Sequence, residues 1–130
     1  MGQYANRPFY NDSLPVLASG VRTAAPTIAD QLLSSAQGIH VILDVTDIGI
    51  LAPSITITIS GVDGAGKVHT LLVGAAVASV STTRYTVHPL ATAVANSVAR
   101  DMIGKLIRIS VAHDNTDPIT YSIGMNIGVN

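Results

Sequence analysis

From residue 38 onward the chain alternates apolar and polar side chains with a period of two. In residues 38–46, Ile39, Val41, Leu43 and Val45 share one face, while His40, Asp44 and Thr46, with Ile42 among them, share the other. Residues 54–60 place Ile55, Ile57 and Ile59 against Thr56, Thr58 and Ser60. Residues 119–129 keep Ile119, Tyr121, Ile123, Met125, Ile127 and Val129 on one side, and residues 105–111 do the same with Ile107, Ile109 and Val111. Such alternation predicts half-buried strands, and the β-branched residues that dominate it fit a pleated surface. Residues 68–73 and 83–88 carry weaker versions of the pattern, and an early strand is expected near residues 19–25. Turn residues punctuate these runs at 47–53, at Asp63-Gly64-Ala65-Gly66 and at 114–118. Together they predict an all-β fold: an antiparallel β-sandwich with a jelly-roll-like topology, one face of each sheet buried and the other rich in hydroxyls. Residues 27–36 and 90–103 have some helical spacing, but Thr92, Val94, Asn96 and Val98 weaken the second, so short turns are expected there.

The outward positions Thr56, Thr58, Ser60, Ser110, Thr120, Ser122 and Asn126 are small, neutral and hydrogen-bonding. They suit either a solvated sheet or close packing of one sheet or subunit on another. Composition bears on that choice. Of the 130 residues 48% are hydrophobic and only 12% charged, where a soluble domain carries about a quarter charged residues. Mean hydropathy is +0.45, yet no apolar run approaches the roughly 18 residues of a spanning helix, and residues 1–8 lack the apolar stretch of a secretory leader. A chain of this kind is expected to hide surface against copies of itself or a partner protein. Its net charge of −1 offers no attraction to nucleic acid or an acidic membrane, so neither is an expected partner. The lack of cysteine excludes disulfides, thiolate zinc sites and a cysteine nucleophile.

Residues 1–17 differ from the rest. Three of the five aromatics, Tyr4, Phe9 and Tyr10, fall there among Asn6, Arg7, Pro8, Asn11, Asp12 and Pro15, without helical or strand period. A disordered terminus is one reading. An extended arm that anchors its aromatics on a neighbouring subunit is the preferred one, because disordered segments are poor in aromatics and aromatics make good interface anchors. The expected organisation is thus an arm over 1–17 and a sandwich domain over 18–130, with Tyr4, Arg7, Phe9 and Tyr10 as partner-binding residues.

Candidate chemistry is sparse. Residues 61–67 fit G-x-x-x-x-G-K and resemble the phosphate loop of thymidylate kinases, but Val68 follows Lys67 where a Ser or Thr should hold magnesium, and a strand-like run follows where a helix is required. A hairpin turn explains the residues better. His40, His69, His88 and His113 lack the close spacing of a metal site, although a cross-strand site or a His-Asp pair stays open. The Asp114–Asp117 stretch lacks the central glycine and closing glutamate of a calcium loop; Asx-type turn formation accounts for it. The five arginines form no stripe, and no G-x-S-x-G nucleophile elbow occurs. Neither catalytic residue, metal nor cofactor is expected.

The order of segments resembles short β-rich structural proteins encoded among the virion genes of tailed bacteriophages. The matching pieces are residues 38–46, 54–61, 66–72, 85–89, 108–114 and 117–122, and the resemblance spans residues 19–129. It implies a non-enzymatic cement or decoration protein, a β-sandwich acting as a homotrimer on the outer surface of the phage head, bound to the major capsid protein and made in the bacterial host cytoplasm. The alternative in the same setting is a tail, collar or fibre-associated virion protein with a host-adhesion role, its loops binding glycan. An alternative from another class is a small hydrolase or metal-dependent enzyme with a cupin-like barrel, which would need clustered His and carboxylate ligands.

Overall fold

A computed structural model describes residues 10–33 and 36–129. The expected anchors Tyr4, Arg7 and Phe9 lie outside the described residues. The chain forms β1 (Tyr10–Arg22), β2 (Gln31–Leu32), β3 (Gly38–Ile48), β4 (Ile55–Val62), β5 (Val68–Val73), β6 (Ser81–Val87), β7 (Val98–Ala99), β8 (Leu106–His113) and β9 (Ile119–Val129). One sheet has the order β1-β9-β3-β6-β7 and the other β2-β8-β4-β5. Every pairing is antiparallel except the two-residue contact of β6 with β7. Consecutive strands pass back and forth: β1 in the first sheet, β2 in the second, β3 in the first, the β4–β5 hairpin in the second, β6 in the first, β8 in the second, β9 in the first. That winding is a jelly roll.

The faces fall where the alternation puts them. Ile39, Val41, Leu43 and Val45 of β3 are buried against Ile55, Ile57 and Ile59 of β4, Ile107, Ile109 and Val111 of β8, and Ile119, Tyr121, Ile123 and Met125 of β9 in one core cluster. Burying each such side chain contributes roughly 1.5–3 kcal/mol, so the two inner faces supply the main driving force for the fold. Ser60, expected to point outward, is nevertheless buried: it sits mid-sheet, paired with Arg108 on one side and Thr70 on the other.

Two local expectations differ from the structure. The first strand begins at Tyr10, not near residue 19, so the boundary expected at residue 17 falls inside β1. Residues 10–17 pair with β9 of their own chain, with register shifts between Pro15 and Leu17 and between Leu17 and Gly20. Pro15 cannot donate to a ladder, and an edge strand tolerates that. Residues 27–36 hold no helical turn among those described: Gln31 and Leu32 pair with Ile107 and Leu106, and Leu33 is driven into the core. Residues 90–103 form short turns, as expected, with β7 in addition. Asn96 there takes a positive φ of 63° and donates from Nδ2 to the carbonyl of Val73 at 3.0 Å, tying this connection to β5.

The 63–67 turn closes a hairpin. Asp63 Oδ1 accepts from the backbone N–H groups of Ala65 at 2.8 Å and Lys67 at 2.9 Å, and Gly66 supplies a φ of 82°. The two N–H donors hold the Asp63 carboxyl below the usual carboxylate range. The G-x-x-x-x-G-K spacing is therefore turn chemistry between two strands, with no helix to receive a phosphate.

Candidate interaction surfaces

Register decides what each sheet shows to the outside. On the outer face of the first sheet, polar side chains pair across strands. Thr82 donates from Oγ1 to Asp44 Oδ1 at 2.9 Å, and Ser13 donates to Asn126 at 2.9 Å. His40 lies in register with Asn126 on one side and Thr86 on the other. Its imidazole is held below the ordinary value by partial burial first, then by the positive charge of Arg84 and by His88. A Cβ at Gly38 would overlap the His88 ring, which would have to move aside.

The outer face of the second sheet is different at one end. Leu32 pairs with Leu106, Leu106 with Val62, and Val62 with Val68. Paired residues share a face, so four apolar side chains form a row across all four strands. Leu32 is 65% and Val68 48% exposed, and Leu106 and Val62 are half-buried. The next row begins with the salt bridge of Arg108 Nε to Asp30 Oδ1 at 2.9 Å, which holds the Asp30 carboxyl below its usual range.

At the opposite end of the sandwich, the loop between β3 and β4 carries Ile50, 95% exposed, and Leu51. This loop is braced by the β8–β9 connection. The Leu51 N–H donates to Asp117 Oδ2 at 2.9 Å, the Gly49 N–H to the Pro118 carbonyl at 2.9 Å, and the Ser54 N–H to Asp114 Oδ1 at 2.7 Å. A Cβ at Gly49 would overlap the Asp117 carboxylate, so glycine is needed for this approach. The Asp117 N–H returns to Asn115 Oδ1 at 2.8 Å, the Asx turn expected from the sequence. Residues 114–118 thus do more than turn the chain: they fix an apolar tip in the neighbouring loop.

Between the sheets, His113 Nε2 of β8 and Tyr121 Oη of β9 are hydrogen-bonded at 2.8 Å. Arg22 stacks its guanidinium 4.9 Å from the centre of the Tyr121 ring and donates to the carbonyls of Tyr121 at 2.7 Å, Gly20 at 3.0 Å and Ala18 at 2.6 Å. Burial holds His113 below the ordinary histidine value, a shift that Asp114 opposes and Arg22 reinforces. Tyr85 is the other buried tyrosine. Its Oη has no hydrogen-bond partner, and burial pushes its pKa up. It borders an open cleft of about 380 Å³ beside the β6 edge, lined also by Ala76, Ser79, Thr83 and Asn96. Among the described residues no three His, Asp or Glu side chains gather as a metal site would require.

Of the expected partner-binding residues the structure places one: Tyr10 opens β1 opposite Val129. The apolar row and the Ile50 tip leave no pattern in the sequence. Each contributes single residues to separate strands or loops, and only the pairing brings them together.

No family model matches the chain, and no curated protein matches it. Solved structures do. The crystal structure of SPBc2 prophage-derived protein YomS matches with a TM-score of 0.52 and 11% identity over 92% of this chain and 94% of that one. A chain in the structure of infectious bursal disease virus, Gx strain, matches with a TM-score of 0.54 and 7% identity over 95% of this chain. The match takes up 32% of that viral chain. At these identities what is shared is the fold: a β-sandwich of the kind found in a prophage-derived protein and in a virus structure.

Proposed function

We propose that this chain is a structural component of a virus particle: a cement or decoration protein of a tailed-bacteriophage head, with no chemistry of its own. On this reading it assembles as a homotrimer, binds the major capsid protein on the outer surface of the head, and uses Tyr4, Arg7 and Phe9 of its N-terminal arm, with Tyr10 at the start of β1, as contacts. The observation that carries the reading is the presence of exposed apolar side chains on rigid supports. Ile50 stands on a loop braced by three hydrogen bonds to its neighbour, and the Leu32 row lies on a paired sheet. Apolar groups presented this way lose little entropy on docking. The low charge of the chain and its fold likeness to a prophage-derived protein and to part of a virus structure support the same reading.

The mechanism is mass action. A protein that binds the assembled shell and not its separated subunits stabilises the shell at every occupied site, and a lattice of sites multiplies a modest gain. The test is to add purified protein to phage shells that lack it. Saturable binding with a rise in the temperature at which shells come apart is expected. Shells that stay bare, or that open at an unchanged temperature, contradict the proposal. A truncation testing the arm must stop at Phe9, because residues 10–15 are part of β1 and their loss would strip an edge strand.

The tail or fibre alternative draws on one observation, the cleft lined by Ser79, Thr83 and Asn96, whose neutral hydroxyl and amide groups suit a sugar. Binding of the purified protein to host-surface glycan, with none to the head, would select it.

A further inference from the structure

The apolar row on the outer face of the second sheet and the N-terminal segment meet at one end of the sandwich. β1 starts at Tyr10, paired with Val129, and Gly38 at the start of β3 pairs with Gly128. The link from β2 to β3 is fastened there by Leu33 N–H to the Lys105 carbonyl at 2.7 Å and Gln37 N–H to the Gly128 carbonyl at 2.8 Å. Leu32 ends β2, Leu106 begins β8, and Val62 and Val68 flank the β4–β5 turn. All four row residues therefore stand at the end from which residues 1–9 depart.

We propose that this row, Leu32, Leu106, Val62 and Val68, is the receiving site for residues 1–9 of a neighbouring copy of the chain, with Phe9 and Tyr4 as the side chains that cover it. The inference rests on the self-associating reading above and names the surface it uses. Dimensions agree. Four strands at about 4.8 Å spacing make a row about 14 Å long, and nine residues reach up to about 30 Å. The chemistry agrees as well: the row has no charge, and the segment carries two aromatics that a water-exposed terminus gains nothing by keeping. A contact between an arm and a different patch on the next copy is heterologous, and it closes into a ring when the rotation allows. It is thus compatible with a trimer, as a face-to-face pairing of two identical rows is not.

The chain has no cysteine, so two introduced cysteines report one contact. Ala5→Cys places a thiol between the two aromatics, and Lys105→Cys places one beside Leu106 at an exposed position; neither removes an apolar contact. On oxidation the double variant is expected to give disulfide-linked chains that run as multimers without reductant. A control pairing Ala5→Cys with Ser122→Cys, on the outer face of the first sheet, is expected to stay unlinked. No link between chains, a link confined to one chain, or equal linking in the control overturns the proposal. Phe9→Ser and Leu32→Ser supply a second reading. Each is expected to weaken self-association by about tenfold, and the two together by little more than either alone, because they break one contact. Independent, multiplying losses contradict it. Shell binding measured on the same samples separates the two proposals: cross-linked chains that ignore shells remove the capsid role and keep the arm site, and shell binding without cross-links does the reverse.

Discussion

The two outer faces of this sandwich share a fold and differ in chemistry. The first sheet shows Asp44 bonded to Thr82, Ser13 bonded to Asn126, and His40 beside Arg84. The second shows Leu32, Leu106, Val62 and Val68 aligned at one end. Both faces are outward by the same alternation of residues, so alternation alone cannot distinguish a polar outer face from one that carries an apolar row. The distinction is made by register, which places residues separated by long stretches of chain side by side.

Putting a charge on each face tests the contrast most severely. Val68→Lys, in the row, is expected to weaken self-association by about a hundredfold, since a buried unpaired charge is costly, while Ser122→Lys, opposite Asp44, leaves it unchanged. Sedimentation across a dilution series reads both, and equal effects would erase the difference between the faces.

Beneath the faces, the two buried tyrosines sharpen it. Tyr121→Phe leaves His113 Nε2 without its partner and is expected to destabilise the fold by about 1–3 kcal/mol. Tyr85→Phe removes a hydroxyl that has no partner and is expected to be neutral or stabilising by about 1 kcal/mol. Urea unfolding of both variants tests the pair; a larger loss for Tyr85→Phe would refute the hydrogen-bond assignment.

A smaller effect follows from the histidines. Burial holds His113 and His40 below the ordinary value of 6.5, so the unfolded chain takes up protons first. Their contribution to stability is complete above about pH 6.5 and is lost as pH falls below it toward the folded-state values. His113→Gln combined with His40→Gln should flatten the midpoint of urea unfolding over that range, and an unaltered slope would contradict the cause assigned. The smallest effect is expected at the exposed Arg108–Asp30 pair. Arg108→Ala should leave the urea midpoint close to unchanged, the more so in high salt, with the row beside it still able to associate.

What could be read from the sequence divides along physical lines. Strands β3, β4, β8 and β9 are long, regular and buried on one side, so their residues alternate and their inner faces could be named one by one. β1 was hidden because Pro15 and two register shifts break its alternation. β2 and β7, two residues each, owe their existence to neighbouring strands and carry no pattern. The exposed apolar surfaces are hidden for the reason the two faces illustrate. Leu32 stands in what read as a weak helix, Val62 and Val68 flank a turn that resembles a phosphate loop, and Leu106 opens a strand. Ile50 lies within a loop whose rigidity comes from Asp114 and Asp117, far along the chain.

The central claim is that this protein works by fitting against other protein surfaces on a particle. Imaging intact phage particles at a resolution that resolves subunits tests it most directly. The account predicts sandwich-shaped density in threes on the outside of the head where major capsid proteins meet, each arm laid on the next copy. Particles whose heads carry no such density, or that hold it at the tail alone, would contradict it.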